Sequence, residues 1–349
     1  MGTIAFESFE STFQILNPFK DFAPDDHRVE VRKDPLLGAT SVHNPFLKDK
    51  AKVFFGDNDP ELLKKLVEES AKNCIFCGDF VEKSTARYPD DIIPGGRIKV
   101  GEAVLFANLF SLGKYHPVIA LSKAHFLRPS EFSPELIGNG FKAARRFLDM
   151  AYDEDPSALY ASVNANYLFP AGASLVHPHL QMMITTLAYS YQAQLIDASA
   201  AYFQKNGSSY FMDLVETERR TNARYIAQKG AWHWLAAYSP MGTNEIMAVH
   251  ERETDFGRLT ESDISDLSDG ISRVLACYEG LGHLSFNYTL YSMREGARSE
   301  GFRCLFKIIN RQNLYPNYRN DDYFLQKMLH SELIILLPED LTRKAKEYF

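Results

Sequence analysis

Two hydrophobic rhythms alternate along the chain, and they come in a repeating order. Residues 28–42 (RVEVRKDPLLGATSV) read as a strand, a Pro/Gly turn and a second strand. Residues 60–72 (PELLKKLVEESAK) carry apolar positions at helical period, with Pro60 in the first turn. Val104–Leu109 and His116–Leu121 are strand-like runs separated by Ser111-Leu112-Gly113-Lys114, which predicts a hairpin. Residues 129–153 open on PSEFSPE and continue with the apolar spacing of a long helix. Ser157–Asn164 predicts a strand, followed by an Asn/Pro/Gly-rich loop and a strand that contains His177-Pro178-His179.

A second cycle follows. Residues 190–229 read as mostly helical, with a polar break near Lys205–Ser209. Trp232–Tyr238 and Asn244–His250 predict a strand pair, Thr260–Glu279 a long helix, and Leu284–Tyr291 with Phe302–Asn310 two more strands. Strand pair, long helix, strand pair thus occurs twice, which predicts an internal duplication. The expected class is α+β, with mainly antiparallel sheets and helices packed on one face. The halves divide at residues 1–190 and 191–349.

Composition narrows the function. The 349 residues are 45% hydrophobic and 13% aromatic, as in a well-packed globular protein. A formal charge of −7 provides no basic field for nucleic acid or anionic membrane. MGTIAFESFESTFQ lacks a basic n-region and a long apolar h-region, so no signal peptide is expected. It begins Met-Gly, but Phe6 breaks the myristoylation pattern. No apolar run reaches the roughly 18 residues of a membrane helix, so a cytoplasmic protein is expected.

The candidate chemistry lies in Ser174-Leu175-Val176-His177-Pro178-His179-Leu180-Gln181. At i, i+2 and i+4 of an extended strand, His177, His179 and Gln181 project to one face. Pro178 has no N–H for a ladder, so this segment reads as an edge or as the irregular start of a strand. One imidazole can bind a metal while the other faces a substrate, because imidazole is both a common ligand and a capable nucleophile. Cys74 and Cys77 have the spacing of half a tetrahedral zinc site, although CxxC also suits a redox pair or two buried thiols. A zinc site needs two more ligands. Among ten histidines the candidates are His125, after the strand in VIALSKAHFLRPS, and His177.

With those residues in view, the chain resembles the galactose-1-phosphate uridylyltransferases, a branch of the histidine-triad superfamily. RKDPLLG resembles the family's early Arg-x-Asn/Asp-Pro-Leu-x-Gly segment, and Cys74-Ile75-Phe76-Cys77 its zinc knuckle. Phe106-Ala107-Asn108 resembles its nucleotide-contact strand, and VIALSKAHFLRPSEFS the stretch ending in its third zinc ligand. Asn166, Ala171-Gly172-Ala173-Ser174 and His177-Pro178-His179-Leu180-Gln181 resemble its catalytic segment, with matching internal spacing. SFNYTLYS resembles a Ser-x-Pro-Tyr strand of the second half.

The resemblance implies tandem histidine-triad-like domains, catalytic over 1–190 and concerned with substrate and dimerisation over 191–349. It implies one structural zinc on Cys74, Cys77, His125 and His177, with iron as an alternative in the same ligand set. It implies that His179 attacks the α-phosphorus of a nucleotide sugar to form a nucleotidyl-histidine, displacing a sugar phosphate. The other nitrogen of that ring should donate to a fixed acceptor such as a backbone carbonyl. Gln181 would donate to a phosphoryl oxygen. Phe106 and Asn108 would meet the nucleotide, Asn166 would bind substrate, and Gly172, Ala173 and Ser174 would meet the phosphates, with loop N–H groups offered to them. Relatives of this kind pair as homodimers.

The chain also departs from the pattern. Leu109 follows Asn108 where the family often has Asp, and a second-half knuckle is degenerate at Ser209-Tyr210-Phe211-Met212-Asp213. Phe302-Arg303-Cys304-Leu305-Phe306-Lys307 holds no histidine where relatives carry His-x-His, so no second metal is expected. The expected activity is nucleotidyl transfer, with a UDP-hexose and a hexose 1-phosphate as default substrates. The alternatives are a phosphorylase or hydrolase of nucleotide sugars or dinucleoside polyphosphates, and a zinc-containing nucleotide-binding protein without catalysis.

Overall fold

A computed structural model describes residues 2–50, 54–296 and 300–349 of the chain. It opens with β1 (Glu7–Asn17), β2 (Ala23–Lys33) and β3 (Thr40–His43). The first cycle comprises α1 (Pro60–Ala71), α2 (Phe80–Ser84), β4 (Ile98–Val100), β5 (Ala103–Ala107), β6 (Pro117–Ala120), α3 (Pro134–Glu154), β7 (Tyr160–Tyr167) and β8 (His179–Thr185). The second comprises α4 (Ser190–Asn206), α5 (Tyr210–Thr221), β9 (Tyr225–Lys229), β10 (Trp232–Ala236), β11 (Ile246–His250), α6 (Glu261–Gly280), β12 (Phe286–Met293) and β13 (Leu305–Asn310). The chain closes with α7 (Phe324–Lys327), β14 (Ser331–Ile334) and α8 (Pro338–Lys346). Polar side chains cap three of the longer helices. Asp59 accepts from the first N–H groups of α1, Ser133 caps α3, and Thr260 with Asp263 forms a capping box on α6.

Ten strands form one sheet in the order β4-β5-β6-β8-β7-β12-β13-β11-β10-β9. Replacing each strand of the first cycle by its counterpart in the second reads the order backwards. The duplication expected from sequence is therefore a pseudo-twofold about the β7–β12 seam. That seam runs antiparallel from Tyr160 opposite Met293 to Tyr167 opposite Phe286. The other neighbours in the sheet are antiparallel too.

The counterpart helices α3 and α6 lie together on one face. They bury Phe141, Phe147 and Ile271 against Trp232, Trp234, Phe286 and Phe306. A Cβ at Gly270 would overlap the Trp234 indole, so glycine is what lets α6 sit this close to the sheet. Phe141 is fully buried, and its truncation to Ala would cost about 3–5 kcal/mol.

The other face is covered unevenly, and this places the site. Over β5 and β6 sits the Cys74–Cys77 turn, with Phe76 and Val81 packed on Phe106, Val118 and Ala120. Over the second half sit α4 and α5, with Leu195, Phe211 and Val215 packed on Leu235, Met247 and Leu305. These two helices add a layer to the one-faced arrangement expected from sequence. Between the two covers, the strands β7 and β12 form the floor of a cleft, with β8 next to β7.

Two local readings are corrected, and one strand had none. The strand with the histidines begins at His179, not before, and it lies inside the sheet between β6 and β7. Pro178 is accommodated because it falls just outside the ladder, where its carbonyl still accepts from Leu121 N–H at 3.0 Å. The region read as helical to residue 229 turns into β9 at Tyr225. β1 had no sequence reading, because neither face of the β1–β2 ribbon is buried enough to impose an alternation. Phe9, Leu16, Phe19 and Phe22 are exposed on that ribbon and its turn.

Candidate active site and metal centre

The first cluster is built where β6 ends and β8 begins. Cys77 Sγ lies 3.2 Å from His125 Nδ1 and 3.4 Å from His177 Nδ1, and Cys74 Sγ lies 3.7 Å from His177 Nδ1. All four donor atoms fall within 4.8 Å of one another. Bonds of about 2.1 Å to nitrogen and 2.3 Å to sulfur put tetrahedral ligands roughly 3.4–3.8 Å apart, so the set fits a metal ion. The far nitrogens are already committed. His177 Nε2 donates to Ser122 O at 2.8 Å, and His125 Nε2 meets Ser70 Oγ at 2.8 Å. Both Nδ1 atoms are thereby left to face the thiols. Burial and the neighbouring Cys74 push the Cys77 thiol up to about 12, so paired thiolates here require a cation between them.

His179 opens β8 beside this cluster. Its Nδ1–H donates to His177 O at 2.8 Å, the backbone acceptor that the resemblance implied. Nε2 is then the nitrogen with the free lone pair. Burial holds the ring below the usual histidine range, against the opposing pull of that carbonyl. Phe76 stands edge-on to His177 and His179, with centroids 5.9 and 5.6 Å away. The Cys74–Cys77 turn therefore walls His179 on one side.

The floor of the cleft is polar. Gln181 stands opposite Asn164, Asn164 opposite Thr289, and Thr289 opposite Lys307, so one polar row crosses four strands. Asn166 stands opposite Asn287 in the next row. An open cleft of about 870 Å³ lies over Asn164, Asn166, Asn287 and Thr289, with Gly172, Arg311 and Asp321 on its walls.

The sequence-derived contacts fare differently. Asn166 and Gly172 line the cleft, and His179 and Gln181 stand on β8, the neighbour of its floor strand β7. Ser174 and Gly172 are exposed on its loop. The N–H groups of Ala171, Gly172 and Ala173 already donate to Leu168 O and Phe169 O at 2.9–3.3 Å, so they are not on offer to a phosphate. Leu168 holds that turn at φ +64°, a conformation costing on the order of 1–3 kcal/mol for a side-chain-bearing residue. Phe106 is only 3% exposed and packs edge-on against Phe76, which spends its ring in the core. Asn108 Oδ1 accepts from Phe110 N–H at 3.0 Å, and its amide nitrogen rests against the His116 ring.

Several participants were missed. Asn287 and Thr289 alternate with buried Phe286, Tyr288 and Leu290, and that period-two pattern was a usable signal. His116, which meets Gln181, had no signal beyond its place before Pro117. Arg311 and Asp321 pair across a loop, at 2.6 Å, which no spacing rule predicts. Lys307 faces Glu245 at 2.7 Å and Tyr191 Oη at 2.9 Å. Burial alone would depress its ammonium, but Glu245, Tyr191 and Asp34 carry it well above the usual lysine range.

No protein-family model matches the chain. An uncharacterized protein of Archaeoglobus fulgidus is 29% identical over 325 residues, 93% of each chain. Among solved structures, an ADP-glucose phosphorylase from Arabidopsis thaliana with bound ADP-glucose gives a TM-score of 0.69 at 17% identity, over 91% of this chain and 99% of that one. A galt-like protein from the same plant gives 0.68 at 17% identity, over 91% and 98%. A uridylyltransferase gives 0.62 at 16% identity, over 71% and 84%. The chain has the fold of these proteins, as the sequence resemblance implied.

Proposed function

We propose that the chain is a nucleotidyltransferase working through a nucleotidyl-histidine at His179, in the manner of the galactose-1-phosphate uridylyltransferases. The observation that carries this reading is the neutral, buried His179 ring, locked by His177 O with Nε2 left bare beside a polar cleft. Nε2 attacks the α-phosphorus of a nucleotide sugar. A P–N bond forms, the bond to the bridging oxygen breaks, and its electron pair leaves with the sugar phosphate. In the second half-reaction a phosphate oxygen of the acceptor attacks the same phosphorus, and the P–N electron pair returns to Nε2. Gln181 and Asn166 serve as donors to the phosphoryl oxygens.

Cys74, Cys77, His125 and His177 would hold zinc, or iron in its place, as a cross-link that fixes the start of β8. The default donor is a UDP-hexose and the default acceptor a hexose 1-phosphate. A second reading keeps the first step and uses inorganic phosphate as acceptor. The likeness to a protein described as an ADP-glucose phosphorylase supports it. The division of labour between 1–190 and 191–349 is part of the proposal. So is a homodimer, for which the exposed apolar ribbon offers surface.

The test is intact-protein mass after mixing with UDP-, ADP- and GDP-sugars. A gain of one nucleoside monophosphate is expected, and its absence in His179→Ala. Chasing the adduct separates the acceptors: hexose 1-phosphate regenerates a nucleotide sugar, inorganic phosphate releases a nucleoside diphosphate, and water a monophosphate. No adduct from the whole panel overturns the reading.

A further inference from the structure

Two side-chain amides flank the nucleophile, and each is held by a group whose hydrogen-bond polarity is fixed independently. The first is Gln181. Leu112 N–H donates to His116 Nδ1 at 2.9 Å, so that nitrogen carries no proton in the neutral ring. With Nδ1 accepting, the neutral ring carries its proton on Nε2, which lies 2.8 Å from Gln181 Oε1; the Asn108 amide nitrogen, 3.2 Å from Nε2 and 3.4 Å from Nδ1, is nearly equidistant and favours neither. Only an oxygen accepts there, so the NH₂ of Gln181 is turned away from His116. The second amide is Asn166. A guanidinium only donates, and Arg311 Nη1 reaches Asn287 Oδ1 at 2.7 Å. A carbonyl only accepts, and Asn287 Nδ2 reaches Ala171 O at 2.9 Å. Both ends of Asn287 are thereby assigned. The same Nδ2 meets Asn166 Oδ1 at 2.6 Å, so Asn166 also turns its NH₂ outward. Asp321 fixes the Arg311 fork at Nε and Nη2, 2.9 and 2.6 Å away.

We propose that His116 and the Asn287–Arg311–Asp321 relay are positioning groups that set Gln181 and Asn166 as paired N–H donors to the nucleotide's phosphoryl oxygens, one relay coming from each half of the sheet. This rests on the nucleotidyl-histidine reading of His179. Charge on the non-bridging oxygens is stabilised by donors already in place, whereas an amide with its oxygen forward would repel it. A side-chain amide is free to turn over in water, so two flanking amides gain their value only when something fixes their direction.

The experiment uses near-isosteric changes. His116→Phe removes the Nε2–H. Asn287→Asp puts an acceptor where Nδ2 stood, which turns the Asn166 NH₂ inward. Each is expected to lower kcat/KM for formation of the nucleotidyl-enzyme about tenfold. In a Gln181→Ala background His116→Phe should add less than about twofold, while in an Asn166→Ala background it should keep its full effect. Two readouts need no catalysis: the protonation of His116 by nitrogen NMR, and the affinity of the unreacted protein for uridine 5′-monophosphate. A His116 ring protonated at Nδ1 overturns the proposal, and so does a His116→Phe effect that multiplies fully with Gln181→Ala. A wild-type protein that binds the monophosphate but forms no adduct overturns the covalent reading alone. The relays are then judged by affinity: about tenfold weaker binding in His116→Phe supports them, and unchanged binding overturns them.

Discussion

The two halves of the ten-stranded sheet share topology but not chemistry. On the open face of β8 stand His179 and Gln181; on the same face of β13 stand Leu305 and Lys307. The first half covers that face with the Cys74–Cys77 turn, the second with two helices. One backbone plan therefore supports two outcomes, and what decides between them is which side chains occupy a few outward positions. The second half is not idle, because Asn287, Thr289 and Arg311 reach back across the seam to floor the cleft of the first.

The largest expected effect breaks the comparison outright. His179→Ala should remove the nucleotidyl adduct, lowering the transfer rate by about 10⁴-fold or more, as read by mass and by turnover. A substitution at the matching face of β13 that did the same would show the halves to be chemically equal. Next comes the metal turn. Cys77→Ser should lose about one equivalent of bound metal and lower Tm by about 5–10 °C, by elemental analysis and calorimetry. Cys304→Ala, in the second half, should leave the metal content unchanged.

Smaller again is the buried Lys307–Glu245 pair. Lys307→Met should cost about 3 kcal/mol by leaving Glu245 alone, and adding Glu245→Gln should restore most of it, in denaturant unfolding. Adduct formation per folded molecule should stay within about twofold of wild type. A larger loss would make Lys307 a participant in the reaction. The smallest effect is at His283, which burial pushes down to about 4. Its ordinary value is about 6.5. Between those two the unfolded chain binds a proton that the native state does not. Stability therefore falls as pH drops through that window, by about 1 kcal/mol at pH 5.5 from this residue, and is flat above it. His283→Gln should flatten that part of the curve.

Much of this could be read from the chain because the signals were local. The strand–helix–strand cycles, the helix start at Pro60 and the CxxC turn each occupy a short stretch of consecutive residues. The four-ligand cluster and the His179 lock followed from a resemblance carried by short motifs. What escaped was long-range or unburied. The ribbon from Glu7 to Lys33 leaves no burial alternation to detect. His116, Arg311 and Asp321 matter through contacts made only once the sheet is assembled. The loop N–H groups of Ala171–Ala173 looked available because sequence does not show that a left-handed Leu168 folds the turn back on them.

The β7–β12 seam also speaks to descent. Either half alone would present one of these strands as a bare edge of eight residues. An edge of that length pairs with any strand offered to it, and a second copy of the same half offers a matching one. Two identical copies joined edge to edge would reproduce the present strand order about a true twofold, with two equal sites. Tying such copies into one chain would release one site from selection and leave its outward positions free to brace the other.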